Sequence, residues 1–179
     1  YSPAAQAAMV WGVLDKLGCG WEVMKAVNPK LVFVALTGYG QTGPYRDWAG
    51  HDMNYNGYAG ALDQTGSANG APSLSNFQIA DLAGGALTCA VGILAAVIGA
   101  RNSGHGTFVD VGMMDGTFAL QAASFATMRT LGQSLPRGAD MLSGAVPNYS
   151  TYECADGKYV AVGALEPKFF QKLCAELQR

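Results

Sequence analysis

The chain has 179 residues, half of them apolar and 13% charged, with a formal net charge of −2. That length and composition support a packed core and exclude a disordered chain. The nearly balanced charge leaves no electrostatic footprint for nucleic acid.

Residues 3–17 are expected to form a helix on the spacing of Ala8, Met9, Val13, Leu14 and Leu17, closed by Gly18-Cys19-Gly20. A short helix over 21–27 and a turn at Asn28-Pro29 follow. Leu31 to Leu36 is a continuous apolar run, the pattern of a strand covered on both faces of a parallel sheet. Thr37 to Pro44 is a glycine-rich loop leaving the carboxyl end of that strand, where open α/β sheets bind ligands. Asp52 to Leu62 reads as a helix, Gln64 to Ser75 as a polar loop, and Asp81 to Arg101 as a long apolar helix. Gly106 to Val111 is a second strand, and Asp115 to Leu131 a further helix.

Residues 132–146 read as a linker. Beyond them, two β-rich runs flank Ala155-Asp156-Gly157, a strong hairpin signal. Pro167 opens a last helix, at a position typical of a first turn. The expected organisation is α/β: residues 1–131 as part of a Rossmann-like large domain, then 147–179 as the start of a small α+β domain. Tyr1 and the helix cut short at the other end suggest a fragment of a longer protein. No secretory signal is legible.

Leu82 to Ala100 carries no charge and meets the length test for a membrane span. It is better read as a central helix packed closely on a sheet or another helix. It is rich in Ala and Gly, opens on Asp81 and lacks aromatic anchors and a basic cluster. The four cysteines, Cys19, Cys89, Cys154 and Cys174, form no C-x-x-C pair. A zinc site and a disulfide framework are therefore not expected, and a reducing cytoplasmic setting is.

The chemistry concentrates in Gly50-His51-Asp52-Met53-Asn54-Tyr55 and Ile79-Ala80-Asp81-Leu82-Ala83-Gly84-Gly85. An imidazole and a carboxylate, each at a helix start, can move protons on opposite faces of one carbon next to a carbonyl. Each has a plainer alternative. A lone histidine is usually a surface or satisfied core residue, and His105, in a turn, is assigned no role. Asp81 fits an N-cap, and Glu166, just before Pro167, fits a helix cap. Gly84-Gly85 weighs against a mere cap at Asp81, because glycine costs helix stability unless a backbone or ligand comes close. The loop Gly38 to Gly43 can offer backbone N–H groups to a phosphate or carbonyl, but it is neither a P-loop nor a dinucleotide fingerprint.

Five segments together resemble the family III CoA-transferases, and within them the α-methylacyl-CoA racemase branch. They are Thr37 to Pro44, Gly50 to Tyr55, Ala80 to Gly85, Gly104 to Asp110 with Met114-Asp115-Gly116, and Asp156 to Phe169. The resemblance implies racemisation of 2-methylacyl-CoA thioesters by 1,1-proton transfer at the α carbon. His51 and Asp81 would be the acid/base pair, with Glu166 hydrogen-bonded to the histidine. The alternative it implies is a CoA transferase with Asp81 as nucleophile. Lys16, Gly40, Gln41, Asp52, Asn76 and Tyr149 would meet the CoA ester. The branch carries an asparagine four residues before its aspartate; here position 77 is Phe and the neighbouring Asn76 lies one residue further off. No metal or separate cofactor is implied, since CoA is part of the substrate. An interlocked homodimer is implied, with Glu166 facing the histidine of its own or the partner chain.

Overall fold

The computed structural model describes residues 12–178. It is a mixed α/β chain that divides into two compact units, one made of residues up to Leu62 with Leu74–Ala123, the other of Asp63–Ser73 with the chain from Ser124 onward. The boundary between Ala123 and Ser124 falls inside the helix expected over 115–131, and the 63–73 loop belongs with the second unit.

In the first unit, α1 (Val13–Lys16) and α2 (Trp21–Val27) precede β1 (Phe33–Thr37). The rest of the expected helix over 3–17, up to residue 11, lies outside the described residues. α3 (Asp52–Tyr58) follows the glycine-rich loop. The long helix begins as a π-helix over Ala80–Leu87 and continues as α4 (Thr88–Ser103), ending on Gly104 in the left-handed conformation. β2 (Phe108–Gly112) pairs parallel with β1, Phe33 opposite Phe108 and Thr37 opposite Gly112. β1 is less covered than its apolar run suggests: Phe33, Val34 and Ala35 are half-buried, Leu36 is exposed, and only Thr37 is buried.

The single helix expected over 115–131 is two, α5 (Met113–Ala119) and α6 (Ala122–Leu131). Gln121 stands at the break. Its Nε2 donates to the carbonyls of Ala59 and Thr117, so one side chain serves the C-terminal ends of both α3 and α5.

The glycines of the long helix serve a helix crossing. A β-carbon on Gly84 would lie 2.7 Å from the Met113 carbonyl and against Thr117, and one on Gly116 would collide with the Gly84 backbone. Of the two explanations for Gly84-Gly85, close approach of a backbone is the one observed. The close packing expected of this helix holds at its π-helical start, where Ala80, Gly84 and Gly85 are buried. It does not hold further along, where Leu87, Val91, Leu94 and Ile98 are all exposed. Ala80–Ser103 is long and apolar enough to cross a membrane by length and composition alone.

In the second unit, β3 (Tyr149–Glu153) and β4 (Tyr159–Gly163) form the expected antiparallel hairpin. Its turn is fixed by Gly157 at φ 76° and by the Lys158 amide donating to Asp156. The segment expected to be a linker contains a short 3₁₀ turn, Met141–Ser143, capped by Asp140. Arg137 reaches from that segment to the 63–73 loop, donating to the carbonyls of Asp63 and Gly70. α7 (Pro167–Glu176) ends the described chain with Pro167 in its first turn.

Candidate active site

His51 is the N-cap of α3, in extended backbone conformation, and its side chain is exposed. Three bonds immobilise the backbone that carries it. The Tyr55 hydroxyl donates to the Gly50 carbonyl at 2.7 Å, and the His51 amide donates to Asn54 Oδ1 at 3.0 Å. The Asn54 amide returns to the His51 carbonyl at 2.8 Å. Tyr55 is buried because Gly38 and Gly50 present no side chain to it; a β-carbon on either would meet its ring. It sits with Tyr39 and Ala80 in the core cluster, against Tyr45, Met113 and Met114.

Asp81 lies in the first turn of the π-helix, partly buried. Burial, and then the negative charge of Asp52, hold its carboxyl above the ordinary aspartate value, while His51 pulls it down. The fold therefore brings Asp52 and His51 close enough to Asp81 for both to act on its carboxyl. Burial, with Tyr39, Asp81 and Asp52 beside it, pushes the Tyr55 phenol up to about 12, so it remains a hydrogen-bond donor at neutral pH.

The Asp52 carboxylate is engaged by groups of the protein itself. Its Oδ1 accepts the backbone amides of Ala80 at 2.6 Å and Asp81 at 3.1 Å, and its Oδ2 accepts Asn56 Nδ2 at 2.7 Å. Tyr55 and Asn56 are the residues that sequence reasoning left without a role. Their signal was present: each stands four residues after His51 and Asp52, one helical turn on.

The structure places the other expected site residues as follows. Gln41 lines a cleft of about 370 Å³ with Asp15, Gly20, Trp21 and Phe33, next to Lys16, which is exposed at the end of α1. Gly40 is in the left-handed conformation at φ 81°, and the Gln41 amide is taken by the Asp110 carboxylate at 2.9 Å. Gln41 Nε2 and Thr37 Oγ1 are buried there without a partner. Asn76 is exposed in the loop before the π-helix. In the second unit, Tyr149 lines a separate cleft of about 700 Å³ with Ser67, Leu142 and Ser150. Glu166 is exposed at the start of α7 and makes no side-chain cap there.

Residues 5–179 match the model of CoA-transferase family III. The chain belongs to that family. It is 40% identical over 90% of its length to α-methylacyl-CoA racemase of Homo sapiens, covering 42% of that protein. It is 33% identical over the same share to succinyl-CoA–D-citramalate CoA-transferase of Chloroflexus aurantiacus, covering 40% of it. Its fold matches the crystal structure of a CaiB/BaiF family protein from Brucella suis with a TM-score of 0.78 at 32% identity, over 93% of this chain and 43% of that one. The chain thus spans less than half the length of these relatives.

Proposed function

We propose that this chain carries the acid/base pair of a racemase that interconverts the R and S forms of 2-methylacyl-CoA thioesters. The observation that carries the reading is that His51 and Asp81 stand at two helix starts tied together by the Asp52 carboxylate, with His51 favouring the ionised form of Asp81. The greater identity to the human α-methylacyl-CoA racemase than to the Chloroflexus transferase supports it.

In the proposed reaction one member of the pair takes the α proton from one face of the thioester. The electron pair moves onto the thioester oxygen, giving an enolate. Backbone N–H groups of the first turn of α3 are suited to hold that oxygen. The other member returns a proton to the opposite face. A raised Asp81 suits this exchange, because a carboxyl closer to neutrality gives and takes protons with a smaller mismatch. Glu166 is proposed to accept a proton from the second ring nitrogen of a His51, fixing its tautomer. The intact protein is proposed to act as a dimer on its acyl-CoA substrate, with CoA entering only as part of that substrate.

The relatives with transferase names favour one other reading, in which Asp81 attacks an acyl-CoA, expels CoA thiolate and forms a mixed anhydride, after which the thiolate attacks the aspartyl carbonyl to give an aspartyl-CoA thioester and release the first acid. Proton NMR in deuterium oxide separates the two. Incubated with a 2-methylacyl-CoA and no acceptor acid, the full-length protein should erase the α-proton signal. His51→Ala and Asp81→Ala should each lower that rate by about 10³-fold, the scale of one acid/base group. Retention of the α proton together with transfer of CoA to an added acid would reverse the choice.

A further inference from the structure

We propose that Asp52 is a positioning residue whose carboxylate bolts the start of the Asp81 helix to the helix that begins at His51, and so fixes the separation of the two side chains. This rests on the acid/base pair proposed above.

The long helix has no cap of its own. Its N-cap position is Ile79, an apolar residue in helical conformation with no side-chain bond to the first turn. The first amides of a helix need acceptors. Two of them find one on another element: Asp52 Oδ1 takes both Ala80 and Asp81 amides, across a sequence separation of 28 and 29 residues. Asp52 is itself held, since Oδ2 accepts from Asn56, a residue only 7% exposed. Asn56 Nδ2 also donates to the Asp52 carbonyl, locking the side chain against its own backbone.

The result is a rigid path from the His51 backbone, through the adjacent Asp52 side chain, to the backbone of Asp81. A charged acceptor suits the positive end of a helix. It has a cost that a neutral cap would avoid, because it places a second negative charge beside Asp81. The charged and titratable groups facing Asp81 are Asp52, His51 and Tyr55, all from the Gly50–Tyr58 segment. The carboxylate at 52 therefore fixes distance and also raises the proton affinity of Asp81. A side chain of this kind touches no reacting atom.

Two variants of the full-length protein separate strut from charge. In Asp52→Ala the acceptor is gone. Amide hydrogen exchange at Ala80 and Asp81 should speed up at least tenfold, and turnover should fall about 100-fold with KM changed less than about threefold, as expected of a misplacement near 1 Å. In Asp52→Asn one oxygen still accepts the amides. Turnover should fall less than about tenfold, and the Asp81 carboxyl, followed by carbon-13 NMR, should titrate at lower pH than in the unmodified protein.

Unchanged exchange at Ala80 and Asp81 in Asp52→Ala would overturn the proposal. So would an unmoved Asp81 titration in Asp52→Asn, or a KM that rises in step with the loss of turnover, which is the mark of a substrate ligand. Should Asp52→Ala fail to fold, the Asp52→Asn titration alone decides. The exchange and titration readouts need no turnover. A protein that leaves the α proton in place would therefore refute the racemase reading while these two still judge Asp52.

Discussion

Asp81 holds its proton more tightly than a solvent-exposed aspartate because burial and the Asp52 charge both disfavour the ionised form. The folded chain therefore binds more protons at this position than the unfolded chain. Stability is full below the unfolded value and declines as pH rises through the higher folded one. Asp81→Asn removes that loss. The variant should melt at a higher temperature than the unmodified protein at neutral pH, and the gap should close below the ordinary aspartate value. A gap that persists in acid would mean that packing, and not charge, sets the difference. At this scale the placement of His51 and Asp81 at two helix starts was legible, His51 between a glycine loop and a helix and Asp81 at the opening of an apolar run. The function of Asp52 was hidden, since the backbone amides that donate to its carboxylate lie 28 and 29 residues away. The spacing of Tyr55 from His51 was legible, but its burial was not, because that depends on glycines at 38 and 50, which only the folded chain brings to one ring.

Elements were legible where local chemistry decides them. The hairpin follows from Asp156-Gly157, and α7 from Pro167. The π-helical start was not, because it answers to a tertiary crossing: the backbone of α5 runs against Gly84, and Thr117 is buried in the contact. Wide π turns recur at functional sites, and this one carries Asp81. Gly116→Ala should be severe, costing about 3 kcal/mol, because the added methyl meets the Gly84 backbone, which cannot rotate away. Chemical denaturation reads this directly; a midpoint equal to the parent's would refute the crossing. In the second unit, Arg137 is the corresponding tie. Its guanidinium, 12% exposed, holds the carbonyls of Asp63 and Gly70. Arg137→Ala should cost about 2 kcal/mol, the scale of hydrogen bonds to a charged group. Faster amide exchange confined to residues 63–73 should accompany it, and exchange that rises evenly across the second unit would show a general loss of packing instead.

Over the whole chain, the apolar surface is larger than the described residues can cover. Parallel strands are normally buried on both faces, yet β1 and β2 form a sheet of two strands with Leu36 exposed. Along the long helix, Leu87, Val91, Leu94 and Ile98 recur at spacings of three and four, so they line one stripe, and every one is exposed. Exposed contiguous apolar surface of this kind marks a face that seeks a partner surface. The sequence pattern announced an apolar helix correctly, but a helix that is apolar nearly all round does not say which neighbour covers it. The 179-residue chain, expressed by itself, should bind a hydrophobic dye and self-associate with rising concentration. Replacing Val91 and Leu94 together with Lys should cut both effects severalfold. It should leave the melting temperature of the chain nearly unchanged, because side chains that are 67% and 64% exposed contribute little packing. Dye binding that survives the double replacement would place the sticky surface elsewhere. A collapse of the melting temperature would show that the stripe is covered within the chain itself.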